Sequence, residues 1–127
     1  MRLPVLVLAA LVGSCVASPP EPYSGPRQVT ELVGRVAGPP QRCIPMQLDG
    51  NLRPSSSDPG TLLYGNGGLI WANHLNAGCH FNFNDVLVLN PIGSSYCQND
   101  IVRSFEGSSR FPGQSCIFSQ WIPYKSP

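Results

Sequence analysis

The chain has 127 residues, with eight Lys or Arg and seven Asp or Glu, and a formal net charge of +1. Charged residues make up 12% of the chain, about half of the usual fraction, and no run of like charge occurs. The length suits one small domain, and the charge argues against a surface that binds duplex nucleic acid or an anionic membrane.

The first residues have the pattern of an export signal. Arg2 is their one charge, and the apolar run of residues 3–12 is shorter than the roughly 20 residues that a membrane-spanning helix needs. A basic start, a short apolar run and a site of small residues are typical of a signal peptide. We therefore predict a signal peptide over residues 1–14.

Cys15 is the predicted point of attachment to a membrane. The sequence VGSC that ends at Cys15 resembles the box at which bacterial lipoproteins are cut and lipidated on the cysteine sulfur. The proline-rich residues 15–29 would form an extended tether. We predict a periplasmic protein with a lipid anchor at Cys15, and Val16 after that cysteine favours the outer membrane. The alternative is cleavage after Ala17, which would remove Cys15 and give a soluble exported module.

Residues 30–127 are predicted to form one small β domain. Glycines and prolines separate short segments rich in β-branched and aromatic residues. Residues 30–36 fit a short helix, capped by Thr30 and ended by Gly34. Residues 61–64 and 69–73 flank the turn sequence GNGG and predict a hairpin. Further strands are expected at 43–48, 86–89, 101–105 and 115–118. The expected fold is all-β, a small antiparallel barrel or sandwich with at most one short N-terminal helix.

The cysteine count predicts two disulfides. Assigning Cys15 to the signal or the lipid leaves an even set of four, namely Cys43, Cys79, Cys97 and Cys116. No C-x-x-C spacing occurs, which argues against a zinc ribbon or a thioredoxin-type motif, and the periplasm favours disulfides. Sequence alone allows three pairings, of which we favour Cys43–Cys79 with Cys97–Cys116. Each disulfide would contribute roughly 3 to 4 kcal/mol to stability in the chain-entropy model.

A set of spaced segments resembles a known family. In chain order they read GRVAGPPQRCIP, GTLLYGNGGLIWANHL, YCQNDIVRS, PGQSC and WIPY, and they cover residues 34–124. They resemble a family of short exported proteins of Gram-negative bacteria that is known only as a domain of unknown function. The family often has glycine before its aspartate, where this chain has Asn99 before Asp100, and the stretch CHFNFND departs from the family pattern. The resemblance implies an envelope protein and carries no activity, cofactor or catalytic residue.

Few residues suggest catalysis. His74 and His80 lie six residues apart with Asp85 nearby and could bind a metal, but their spacing matches no standard ligand pattern. A G-x-S-x-G motif and the phosphate and dinucleotide motifs are absent from the sequence. Paired carboxylates for glycoside cleavage could be drawn from Asp85, Asp100 and Glu106, with no sign of which two would pair. We therefore predict no catalytic residue, no cofactor and no metal site.

Aromatic and asparagine side chains could form a binding surface, but we favour a structural role for them. The residues concerned are Trp71, Phe81, Phe83, Tyr96, Trp121 and Tyr124, with Asn73, Asn76, Asn82, Asn84 and Asn90. Aromatic faces with amide groups can hold a glycan or an extended peptide, although core packing of Trp71 and Trp121 and turn formation by the asparagines explain the same residues. If residues 80–84 form a strand, Phe81 and Phe83 share one face.

These observations favour a non-enzymatic protein of the cell envelope. We expect a lipid-anchored periplasmic module that binds or scaffolds, with an envelope glycan or a protein as its partner and no nucleic acid. The alternative is a small periplasmic hydrolase or metal-binding enzyme that uses His74, His80 and Asp85.

Overall fold

The computed structural model describes residues 13, 29–47, 50–76, 78–90 and 93–127. In these residues one 3-10 turn, Thr30–Leu32, precedes ten short strands. They are β1 Val36–Ala37, β2 Cys43–Pro45, β3 Arg53–Pro54, β4 Thr61–Tyr64, β5 Leu69–His74, β6 Asp85–Leu89, β7 Ser95–Cys97, β8 Ile101–Glu106, β9 Pro112–Ile117 and β10 Trp121–Lys125. All pairings between these strands are antiparallel, so the all-β antiparallel fold is confirmed.

The predicted signal peptide, Cys15 and the tether lie outside the described residues, apart from Gly13 and Val29. Export and lipidation therefore stay predictions. Among the residues that the structure covers, no helix has the length and apolarity that crossing a membrane requires.

The strands form three sheets. The largest has the order β1-β10-β5-β4-β3, the second pairs β2 with β7, and the third has the order β6-β8-β9. The predicted hairpin is confirmed as β4 and β5, with Tyr64 opposite Trp71. Gly65 and Gly67 in its turn have φ values of 94° and 66°, a conformation that glycine adopts without strain.

One local prediction is wrong, one conditional pattern is not realised, and one strand was not predicted. The helix expected over residues 30–36 is reduced to the 3-10 turn Thr30–Leu32, with Val29 rather than Thr30 at the N-cap position. Residues 80–84 form no strand, and Phe81 is buried whereas Phe83 is 75% exposed. The central strand β10 was not predicted, and it contains Pro123, which lacks the N–H that a residue of a central strand normally donates.

The four predicted cysteines form two disulfides, but the favoured pairing is wrong. Cys43 bonds Cys97, and Cys79 bonds Cys116. Cys43 and Cys97 are direct cross-strand neighbours on β2 and β7, so strand register rather than closeness in sequence decides this pair. The second disulfide joins the segment before β6 to β9.

One apolar core connects the three sheets. Its buried members are Ile44, Leu62, Tyr64, Phe81, Val102, Cys116, Phe118 and Trp121. Trp121 is fully buried as expected, whereas Trp71 only packs against the edge of this core. A second cluster, which includes Leu32 and Leu63, lies on the other face of β4. Because β4 is covered on both faces, its sequence TLLY is a continuous buried run rather than an alternating one.

Candidate functional site

The inner face of the sheet β6-β8-β9 changes from apolar to polar along its length. The cross-strand pairs on this face are, from the core outward, Leu89–Val102, Leu87–Ser104 and Asp85–Glu106. Val102 belongs to the apolar core, Ser104 is buried, and Glu106 is exposed. Two acidic side chains therefore meet where this face leaves the core.

These carboxylates open onto a cleft of about 160 Å³. Its lining residues are His80, Asn82, Asp85, Ser104, Glu106, Phe111, Pro112, Gly113 and Gln114. We call it the carboxylate cleft. This volume is smaller than the roughly 300–1,000 Å³ of pockets that hold drug-sized ligands, so the cleft suits a small polar ligand better than a large cofactor. A more open recess of about 520 Å³ shares Asn82, Asp85 and Glu106 with it, so two concave surfaces meet at the acidic pair.

One wall of the cleft is the segment around His80, and it is held at three points. The Cys79–Cys116 disulfide ties it to β9. The Gln114 side chain accepts a hydrogen bond from the His80 N–H at 3.0 Å. The buried Phe81 donates its N–H to the carbonyl of Pro59 at 3.0 Å. This wall is therefore positioned by covalent, polar and apolar contacts together.

The floor of the cleft depends on a close approach of two strands. A Cβ atom at Gly113 would lie 2.2 Å from Oγ of Ser104, so only glycine allows β9 to lie this close to β8. The register between these strands shifts between Arg103 and Phe105, next to the same contact. Glycine in a strand is typical of such a close backbone approach.

Each carboxylate has one oxygen available to a ligand. Oδ2 of Asp85 accepts a hydrogen bond from the Asn82 N–H at 2.9 Å, and Oε1 of Glu106 accepts one from the Ser108 hydroxyl at 3.1 Å. Within the described part of the chain, Oδ1 of Asp85 and Oε2 of Glu106 have no hydrogen-bond partner. The pair therefore retains two carboxylate oxygens that can accept hydrogen bonds.

An aromatic ring stands at the rim. Phe111 lines the cleft and is 70% exposed. Its backbone is fixed at the end of the β8–β9 hairpin, where Glu106 N–H donates to the Phe111 carbonyl at 2.9 Å. Phe83 is exposed to a similar degree, but it is not one of the residues that line the cleft. Phe111 thus presents an apolar surface beside the polar groups, and a hydrogen bond holds its backbone in place.

The metal hypothesis placed His74, His80 and Asp85 together, and the structure separates the first from the other two. His80 and Asp85 line the carboxylate cleft, whereas His74 does not. Among the residues described, no three His, Cys, Asp or Glu side chains are grouped so that they could hold a metal ion.

His74 belongs to a separate hydrogen-bond chain. Oγ1 of Thr61 donates to Oδ2 of Asp58 at 2.9 Å and lies 2.9 Å from Nδ1 of His74. Since the threonine hydroxyl has one proton, it must accept from His74, so Nδ1 carries a proton. Burial lowers the pKa of His74 below 6.5, against the opposing influence of the Asp58 charge. This arrangement orders the buried start of β4.

The third candidate acid, Asp100, also has a structural role. Oδ2 of Asp100 accepts a hydrogen bond from the Cys97 N–H at 2.8 Å and holds the turn between β7 and β8. Asn99 in this turn has a φ of 75°, a left-handed conformation that asparagine tolerates, as expected from the sequence. Of the three acids, only Asp85 and Glu106 come together.

The residues that complete the cleft were not predicted from the sequence. No motif contains Ser104, Phe111, Gly113 or Gln114. They lie on β8, on β9 and just before β9, and in the chain β7 separates these strands from Asp85 on β6. The one available signal was Phe111, an aromatic residue next to the turn sequence GSSR.

Comparisons with known proteins give no match: no family model fits the chain, and no curated protein or solved structure is detectably similar to it. The resemblance to a family of exported proteins therefore stays a prediction.

Proposed function

We propose that the chain is a non-catalytic binding module of the bacterial cell envelope, and that its carboxylate cleft binds a glycan. The observation that carries this proposal is the pairing of Asp85 with Glu106 beside the exposed ring of Phe111. Acceptors and an apolar face then lie side by side in one concave surface.

The residue types of the cleft suit a sugar. Ring hydroxyls can donate to the unpaired oxygens of Asp85 and Glu106, and the side-chain amide of Asn82 can both donate to and accept from other hydroxyls. The C–H face of a pyranose ring can pack on Phe111, since aromatic rings contribute large apolar contact areas. The open recess that continues from the acidic pair offers space for a second sugar unit.

The build of the cleft supports binding. The disulfide at Cys79 and the contacts of Gln114 and Phe81 order the wall before any ligand arrives. Preorganisation of this kind reduces the ordering free energy that binding would otherwise require.

Export and anchoring are the second part of the proposal. It is supported by the signal-like first residues, the box that ends at Cys15 and the even number of remaining cysteines. Intact mass spectrometry of the chain made in a Gram-negative host tests it. A mature chain that begins at Cys15 with added acyl mass is the expected result, and a chain that begins at Ser18 without lipid would contradict it.

Titration calorimetry with soluble oligosaccharides tests the glycan site. The panel contains N-acetylated, β-linked and α-linked glucose oligomers, and we expect saturable binding to one class. Phe111→Ala and Glu106→Gln should each weaken that binding at least tenfold. Phe83→Ala is the matched control, because it removes an equally exposed ring outside the cleft. Absence of binding throughout the panel, or equal losses for both phenylalanine variants, would contradict the proposal.

A second candidate is glycoside hydrolysis, favoured by the same two carboxylates. Asp85 and Glu106 are direct cross-strand neighbours on one face of the sheet, and most glycosidases use a pair of carboxyl groups that flank the scissile bond. The oligosaccharides that bind should be incubated with the protein and assayed for new reducing ends. Turnover lost in both Asp85→Asn and Glu106→Gln would establish hydrolysis, and binding without turnover would leave the binding module as the function.

A further inference from the structure

Strand β6 forms an open edge of the sheet β6-β8-β9 in the described part of the chain. Hydrogen bonds at the neighbouring turns show which backbone groups face which way. Glu106 N–H donates to Phe111, and Phe118 N–H donates to Asp100, so the even-numbered residues of β8 are directed at β9. Successive residues of an antiparallel strand direct their backbone groups alternately to one side and to the other. The odd-numbered residues of β8 therefore bond β6, and their partners there are Val86 and Val88.

The other residues of β6 consequently direct their backbone outward. The N–H and C=O of Leu87, the C=O of Asp85 and the backbone of Leu89 face the open edge. The Asp85 N–H is already bonded to the Asn82 carbonyl. A row of unpaired donors and acceptors of this kind is a template for another extended strand.

The other sheet edges in the described residues have more protective features than β6. Strands β1 and β3 have two residues each, and β2 and β7 have three. Strand β9 starts with Pro112, shifts register, and is covered by the segment that Cys79 ties to it. Short edges, proline, irregular register and covering loops are the usual means of blocking strand addition. The sequence of β6, DVLVL, has no proline, glycine or lysine, and its single charged residue, Asp85, stands at its first position.

We propose that β6 pairs antiparallel with β6 of a second copy of this chain, which joins two three-stranded sheets into one of six strands. The register with full overlap places Leu87 opposite Leu87, Val86 opposite Val88, and Asp85 opposite Leu89. The two Leu87 residues, one from each copy, then form a hydrogen-bonded pair, because their backbone N–H and C=O groups face outward.

Strand β6 is complementary to itself in this register. Val86 is 54% exposed and Val88 is 40% exposed on the outer face, so each would gain a β-branched cross-strand neighbour. The two Asp85 side chains would lie at opposite ends of the pair, about 14 Å apart at 3.4 Å per residue. No like charges would face each other, and this is why we choose a second copy over a segment of another protein.

Sedimentation equilibrium of the exported chain tests the proposal. The Cys15→Ser background ensures that no acyl group drives association. We expect a monomer–dimer equilibrium in which Val88→Lys weakens dimerisation at least tenfold. Ile117→Lys is the matched control, since Ile117 is 47% exposed on the same face but lies on β9 at the opposite edge. Circular dichroism confirms that both variants are folded.

Crosslinking tests the register. The variants Val86→Cys and Val88→Cys are mixed and treated with a short thiol-specific crosslinker, and the mixture should give more covalent dimer than either variant alone. A protein that stays monomeric at millimolar concentration, or equal weakening by Val88→Lys and Ile117→Lys, would overturn the proposal. Equal crosslinking in all three samples would overturn the register.

Discussion

Asp85 and Glu106 lie directly opposite each other on β6 and β8, at the point where the inner face of their sheet leaves the core. Like charges in direct cross-strand positions destabilise a sheet. Neither carboxylate forms an ion pair with a cation in the described residues, and each carboxylate keeps one unpaired oxygen. A contribution to the stability of the sheet therefore does not explain the pair.

Replacing one of these acids should therefore stabilise the fold while weakening ligand binding. For Glu106→Gln we expect the free energy of unfolding to rise by about 0.2–0.5 kcal/mol at neutral pH, the size found for like-charge pairs on helix surfaces, because the repulsion with Asp85 is removed. Urea unfolding at low and high salt measures it, and the gain should shrink as salt screens the charges. A variant less stable than the parent protein at low salt would contradict the expected repulsion.

Gly113 and Ser104 should be coupled. In Gly113→Ala the new Cβ meets Oγ of Ser104, so β9 must shift and we expect a loss of about 1–3 kcal/mol. In the double variant Gly113→Ala, Ser104→Ala the loss should be smaller, since the contacting oxygen is gone. A double-mutant cycle from denaturant unfolding gives the interaction energy. Strict additivity would show that the two positions do not contact each other.

The two disulfides should contribute similarly to stability. They close loops of 54 and 37 residues, which correspond to about 4 kcal/mol each in the chain-entropy model. We expect losses of this size for the double variants Cys43→Ala, Cys97→Ala and Cys79→Ala, Cys116→Ala. Only the second should also impair ligand binding, because Cys79 holds a wall of the cleft. Equal loss of binding in both variants, measured under conditions where both are folded, would contradict this division.

Glu31 should make the stability of the fold depend on pH. Partial burial alone would raise its pKa, but hydrogen bonds from its own backbone and from Ser55 and Ser56 outweigh burial and lower the pKa from 4.5 to about 2. The Ser56 N–H and hydroxyl donate to Oε1 at 2.8 and 2.9 Å, and the Ser55 hydroxyl donates to Oε2 at 2.8 Å.

Because the pKa is lower in the folded state, ionised Glu31 stabilises the protein above pH 4.5. That contribution is lost as the pH falls from 4.5 through 2. The difference in unfolding free energy between the parent protein and Glu31→Gln should be largest at neutral pH and small near pH 2. Ser56→Ala, which keeps the carboxylate but removes one donor, should give an intermediate effect. A difference that does not change with pH would show that Glu31 acts by packing alone.

The local predictions that held are those in which neighbouring residues decide the conformation. The GNGG turn and its flanking strands were predictable because glycine accepts positive φ and the β-branched and aromatic residues on either side favour strands. Asn99 and Asp100 were predictable as a turn for the same local reason. The 3-10 turn at Thr30 was overestimated as a helix, since no side chain caps it.

The sequence by itself determined the all-β class, the β4–β5 hairpin and the four cysteines available for disulfides. Only the tertiary structure decided which cysteines pair, that Phe81 is buried while Phe83 is exposed, and that Asp85 faces Glu106 rather than Asp100. These features depend on strand pairing between distant segments. Strand period and turn chemistry act over a few residues, whereas register across 20 to 50 residues is set by packing of the whole core.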